Sequence, residues 1–289
     1  MPDLRPYIVL GIALGSVFAV SGVGMVVLYR ATGVLNLAYG AVGALGSLIA
    51  WSMINTFLLP DWLSYIVAVI FGGVASLIYG FLFGPPLSGR DPLVKAVATL
   101  GFMLILLGVM SFVWSKDQAH SLILPTTQWG FPLGSAQVNV TQILGLALAL
   151  AVTAGATIFL RVTKLGTAMR SLANDREITA MLGVPVRRVE AAAWLGSGLL
   201  AGATGLLLST LVGLDAVTLT FLVIASLSAA LVGRLQSLWV TVVAGLVIGV
   251  IQSSATPFDT ISPYRSMTPF LVAIIALLWF ARRRPLVVR

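Results

Sequence analysis

The sequence predicts an all-α fold, a polytopic transmembrane helical bundle, on three observations. Hydrophobic residues make up 59% of its 289 positions. Mean hydropathy is +1.05. The apolar residues also gather in runs of about twenty, the length that crosses a bilayer core at a rise of about 1.5 Å per residue. A soluble domain is nearer one-half apolar, and interrupted.

Taken in order, the apolar runs place spans at residues 7–29, 34–58, 63–83, 93–114, 140–160, 189–212, 216–232, 237–256 and 268–281. The count is about 8–10, with nine the best reading. The first run follows Asp3 and Arg5 with no basic n-region and continues to Tyr29, so it reads as a span and not as a cleavable signal peptide. The second is rich in glycine and carries Asn36 and Tyr39, so a broken or tilted helix is expected there. The ninth is short, and the same expectation applies to it. The 29 glycines lie mostly inside spans, where small residues let helix backbones approach closely. A minority could mark broken helices that line a path. Thr32 to Gly40, with Asn36 and Tyr39, is the first candidate for such a path, and Thr99 with Gly101 the second. The competing reading has Asn36 bonded to a neighbouring helix.

Alternate loops are basic. Arg30, Arg90 with Lys95, the cluster from Arg161 to Arg188, Arg234, and Arg282 to Arg284 all fall on one side. The positive-inside rule makes that side cytoplasmic, with the N-terminus outside and the C-terminus inside. The net charge of +8 is thereby absorbed by loop asymmetry, and a nucleic-acid partner is not indicated. The chain has no cysteine, which excludes thiolate catalysis and disulfide frameworks. His120 is the only histidine; it lies in the external loop 115–139, far from other metal-type ligands, and a solvent or partner contact is expected. Trp114, Trp129 and Phe131 of that loop read as interfacial belt residues or as contacts for a docked protein. Asp215, after Gly213, is placed to cap the next helix.

Charge concentrates in the loop 162–188. Asn174 followed by Glu177 has the form of a capping box, so a short helix should start there. Ile178, Met181 and Leu182 repeat at i, i+3 and i+4, and Gly183 with Pro185 supplies a stop. Leu165 to Ala173 predicts a second short helix with Met169 and Leu172 on one side. Apolar faces on two such helices need a cover, which is either the lipid interface or another protein.

The stretch "AMRSLANDREITAMLGVPVRRVEAAAWLGSGLLAGATGLLL" resembles the cytoplasmic coupling loop and following span of branched-chain amino-acid ABC importer permeases, the LivH and LivM type. The opening "LGSVFAVSGVGMVVLYRATGVLNLAYGAVGALGSLIA" is similar to the LivH type, and "RSMTPFLVAIIALLWFARRRP" resembles its ending. Two departures stand out. Tyr39 replaces the histidine of an "NFAHG" element, and a glycine-rich late element reads Val232 to Trp239 here, so the geometry near Arg234 should differ.

The resemblance implies a single permease domain over 1–289 and no enzyme activity. Its partners would be a second permease subunit, two ATP-binding subunits, an extracytoplasmic solute-binding protein and membrane lipid, in a bacterial plasma membrane. The cargo implied is a branched-chain or other neutral amino acid, with urea or short amides as the alternative. ATP and Mg would be used by the partners and no cofactor bound by this chain, which has no G-x-x-x-x-G-K-[ST] phosphate loop. Arg170, Asp175, Arg176 and Glu177 would give polar rim contacts to the ATPase. Ile178, Met181, Leu182 and the Gly183 stop would form the buried anchor. A stand-alone secondary carrier remains the rival, although it would need ion-coupling charges inside the membrane.

Overall fold

Helix α1 (Arg5–Thr32) is apolar on every side and buried through most of its length, the expected behaviour of a helix without a polar face. Pro6 suits its first turn. Gly33, at φ +66°, ends it, donating its N–H to Tyr29 O at 2.7 Å, a conformation that favours glycine. This computed structural model describes residues 3–114, 120–133, 136–259 and 261–283.

The remaining helices are α2 (Tyr39–Asn55), α3 (Asp61–Leu87), α4 (Pro92–Val113), α5 (Val140–Val162), α6 (Lys164–Asn174), α7 (Arg176–Met181), α8 (Val186–Val212), α9 (Ala216–Phe221), α10 (Val223–Val232), α11 (Leu238–Ser254) and α12 (Thr268–Arg283). Each apolar run of the sequence holds at least one of them. Five of those described, α1, α3, α4, α5 and α8, are long and apolar enough to cross a membrane unaided. The second run begins as irregular chain and becomes helical only at Tyr39, as its composition led us to expect. The seventh, read as continuous, is instead split at Leu222 into α9 and α10. Asp215 caps α9 by accepting from Thr218 N at 2.7 Å, the role its position suggested.

α1 is the axis of the bundle. It lies along α11, and α5, α8 and α10 complete its surround; α2 and α3 pack on α8. Glycine sets these distances. A Cβ on Gly15 would lie 2.7 Å from Leu246 Cα, and one on Gly11 2.6 Å from Val250 Cα. Gly72 stands in the same relation to Gly198 O, and Gly43 to Ala201 O, at 2.5 and 2.6 Å. Where backbones touch, no side chain fits, which is how helices associate without a hydrophobic drive between them. The outer faces of α3, α4 and α5 expose Ile66, Ile70, Phe81, Ile105, Phe112 and Ile158, side chains suited to lipid.

The loop between α4 and α5 is not wholly irregular. It contains an antiparallel hairpin, β1 (Gly130–Leu133) and β2 (Ala136–Asn139), which an all-α reading did not include. His120 is half-buried, and its ring packs edge-on against Trp51 at 4.3 Å. Trp114 donates Nε1–H to Ser52 Oγ at 2.8 Å. Residues 115–119 and 134–135 of this loop, and Arg284 of the terminal basic run, lie outside the described residues. In the turn from α10 to α11, Arg234 and Leu235 adopt φ +56° and +54°, left-handed values that cost non-glycine residues about 1–2 kcal/mol each. They stand where the resembled family carries its glycine-rich element.

Candidate functional site

The loop joining α5 to α8 is built from two short helices of different character. Thr163 starts α6, its hydroxyl accepting from Gly166 N at 2.9 Å. Met169 and Leu172 on its inner face are buried against the chain's own core. The apolar side expected to need an outside cover is therefore already covered.

α7 differs. Its cap is Asp175, not Asn174: α6 continues through Asn174, and the first extended residue is Asp175 at φ −154°, whose carboxylate accepts from Ile178 N at 2.9 Å. A charged acceptor at a helix N-terminus is favoured over a neutral one, and Glu177 is left exposed. Thr179, buried beneath the helix, donates to Asp175 O at 2.6 Å. The Arg176 guanidinium pairs with the Glu190 carboxylate on α8. Gly183, at φ +82°, provides the stop. On this pinned turn Ile178, Met181 and Leu182 are 53%, 78% and 78% exposed. Three large apolar side chains thus project from a turn held by its cap, a buried threonine and an ion pair. Among the described residues, the buried Nε of Arg170 on α6 finds no hydrogen-bond partner.

The second group surrounds the irregular stretch between α1 and α2. Thr32, Asn36 and Thr99 are all buried, and their polar atoms serve backbone that no helix satisfies. Thr32 Oγ1 accepts from Val34 N at 3.1 Å, and Asn36 Oδ1 from Ala38 N at 3.1 Å. Thr99 Oγ1 accepts from Leu37 N at 3.1 Å and lies 2.9 Å from Leu35 O. Irregular backbone at membrane depth persists only with such partners. Asn36 bonds its own segment and not a neighbouring helix.

Tyr39 opens α2 with its ring in the middle of the bundle, beside Gly24, and Gly40 abuts the backbone of Thr220. The Tyr39 hydroxyl, with Ser21 and Thr204 near it, forms no hydrogen bond of normal geometry, and neither does Thr220 Oγ1. Tyr39 borders a cavity of about 20 Å³ lined also by Ser21, Thr204 and Ser226, room for one water. Gly101 does not join this group; it faces outward on α4 with open space about it.

Two larger spaces lie at the ends of α1. One, about 650 Å³, is lined at the Leu10 and Leu14 end by Phe221, Gln252, Thr256 and Arg265. The other, about 470 Å³, lies at the Tyr29 to Gly33 end among Lys95, Asn174, Arg176 and Gln236. The Tyr39 cavity sits between them. Three spaces are strung along one helix, with the narrowest in the middle.

Reading the sequence missed Lys95 as a site residue because it was counted with loop cations. Its exposure is 8%, and a lysine inside an apolar run is itself a functional signal. Ser21, Thr204 and Thr220 were missed because lone hydroxyls in apolar helices usually bond their own backbone, as Thr204 Oγ1 does to Leu200 O at 2.8 Å. Among the described residues, no three His, Asp or Glu side chains gather as a metal site would require.

A family model described as the permease component of branched-chain amino acid transport systems matches residues 7–278. The chain is similar to the high-affinity branched-chain amino acid transport system permease protein BraD of Pseudomonas aeruginosa, 28% identical over 298 residues, covering 96% of this chain and 95% of BraD. It is similar also to the probable branched-chain amino acid transport permease LivH of Methanocaldococcus jannaschii, 28% identical over 240 residues, covering 81% of this chain and 75% of that protein. LivH of Escherichia coli is 23% identical over 283 residues, covering 93% and 91%.

Proposed function

The chain belongs to the family of permease components of branched-chain amino acid transport systems, and from that premise we propose that it carries a branched-chain or other neutral amino acid inward across a bacterial plasma membrane. Two ATP-binding subunits would drive it, a second permease subunit would pair with it, and an extracytoplasmic solute-binding protein would deliver the cargo. The N-terminus would lie outside and the α6–α7 loop in the cytoplasm, the side toward which the loop cations point.

The exposed stripe of Ile178, Met181 and Leu182 carries this reading. An apolar trio on a turn fixed by a cap, a buried threonine and an ion pair is a docking knob, and a flexible lipid-lying loop would need none of those restraints. The ATPase would hold the knob in a groove, with Arg170, Asp175, Arg176 and Glu177 around it. ATP and Mg would act on that partner and not here. Closure of the ATPase pair would then pull on α8 through the Arg176–Glu190 pair, shifting the chain between two arrangements.

The test is co-purification in mild detergent with neighbouring subunits, comparing wild type with an Ile178→Asp, Met181→Asp variant. We expect the ATPase to accompany wild type and to be lost from the folded variant. No ATPase with wild type would sink the proposal and favour a stand-alone carrier. Uptake by reconstituted vesicles, leucine against urea, decides the cargo.

A further inference from the structure

Lys95 is more than nine-tenths buried, and among the described residues its ammonium makes no hydrogen bond; its charged neighbours are Arg176 and Glu190. It borders the 470 Å³ cavity together with Arg30 and Arg176. Glu190, the carboxylate nearby, is already paired with Arg176. Arg30 makes only a long bond, 3.4 Å, to Gln236 O, and Arg170 stands close enough to repel it. Cations from α1, α4 and α7 thus converge on one space, and among the described residues no Asp or Glu lines it. Several cations facing one cavity repel one another, so the arrangement suits an anion from outside the chain.

We propose that this cavity is a phosphate-binding site whose occupant is the headgroup of an anionic phospholipid, held by Lys95 and Arg30. The chemistry asks for a compact anion with several acceptor oxygens, since the two cations offer separate donors on separate helices. The surroundings select lipid as its source. Lys95 also borders a narrow cleft with Phe83, Gly84 and Leu87. Just outside that cleft Phe81, Leu82, Leu93 and Val94 are exposed on α3 and α4. A headgroup in the cavity would leave its acyl chains on this apolar surface. The cavity also lies at the end where the loops are basic, the leaflet that carries anionic lipid when the orientation is as proposed. A bound headgroup would brace α4 against the α6–α7 loop, making the coupling element sensitive to lipid composition.

The delipidated full-length chain is titrated with phosphatidylglycerol or zwitterionic phosphatidylcholine and read by native mass spectrometry. Wild type is expected to hold one phosphatidylglycerol per chain tightly. Arg30→Gln, Lys95→Gln should weaken it about tenfold or more, and phosphatidylcholine should bind weakly to both. Arg161→Gln, Lys164→Gln removes equal charge at exposed positions and should bind as wild type does. If the first pair binds normally, or the second weakens binding equally, the site is overturned. Inorganic phosphate is the other arm: if it protects wild type from thermal unfolding while phosphatidylglycerol does not, free phosphate and not lipid is the ligand. Should the double variant fail to fold, Lys95→Arg must retain binding and Arg30→Gln alone must weaken it; any other pattern overturns the proposal.

Discussion

Arg176 on α7 and Glu190 on α8, fourteen residues apart in sequence, are joined as an ion pair that fastens the α7 turn to the following long helix. Glu190 is the more enclosed partner, at 13% side-chain exposure against 35% for Arg176. Stranding it should cost more than the loss of a surface bridge. Arg176→Ala is expected to lower stability by about 1–2 kcal/mol. On the proposed coupling to an ATPase partner it should also reduce ATP hydrolysis by the complex, with the exchange Arg176→Glu, Glu190→Arg restoring part of both. Thermal unfolding beside ATPase assays reads the outcome; no recovery in the exchange would mean that the residues act separately.

Capping should be specific to one residue. Asp175→Ala is expected to remove about 1 kcal/mol from the α7 turn and to raise amide exchange from Ile178 to Met181. Asn174→Ala and Glu177→Ala should leave exchange nearly unchanged. Equal effects at Asn174 would restore the capping box that the sequence suggested.

The Tyr39 hydroxyl offers a test with an uncommon sign. Because it is buried without a partner, Tyr39→Phe removes a desolvated polar group, and unfolding should be unchanged or shifted up by as much as about 1–3 kcal/mol. A loss of more than about 1 kcal/mol would show that a water fills the small cavity and bonds the hydroxyl.

Glycines divide into two kinds. Gly15→Val and Gly72→Val meet backbone and should abolish a monodisperse product, whereas Gly155→Val and Gly101→Val meet open space and should express as wild type does. Size-exclusion profiles in detergent make the comparison. A failed fold in Gly101→Val would return that residue to the interior path.

Apolar runs told where the helices are, because membrane helices advertise themselves by length alone. Burial was not told, since α1 and α4 have similar compositions yet one is the axis and the other an outer wall. The loop helices were legible as elements, but the cap was misplaced by one residue: both Asn174 and Asp175 suit a cap, and only the backbone decides where helicity stops. The break at Leu222 left no mark, with neither glycine nor proline beside it. Thr32, Asn36, Tyr39, Gly40 and Thr99 do cluster about the broken entry to α2, because polar groups inside an apolar run must answer to something. The Lys95 cavity was invisible because its cations come from helices far apart in sequence.

The glycine-lined seam between α1 and α11 joins the first helix to one that begins more than 200 residues later. During synthesis, α1 would reside in the bilayer with its notched face toward lipid until nearly the whole chain has left the ribosome. A polypeptide halted before Leu238 would never close that seam, and its first helix would keep a notched face toward lipid.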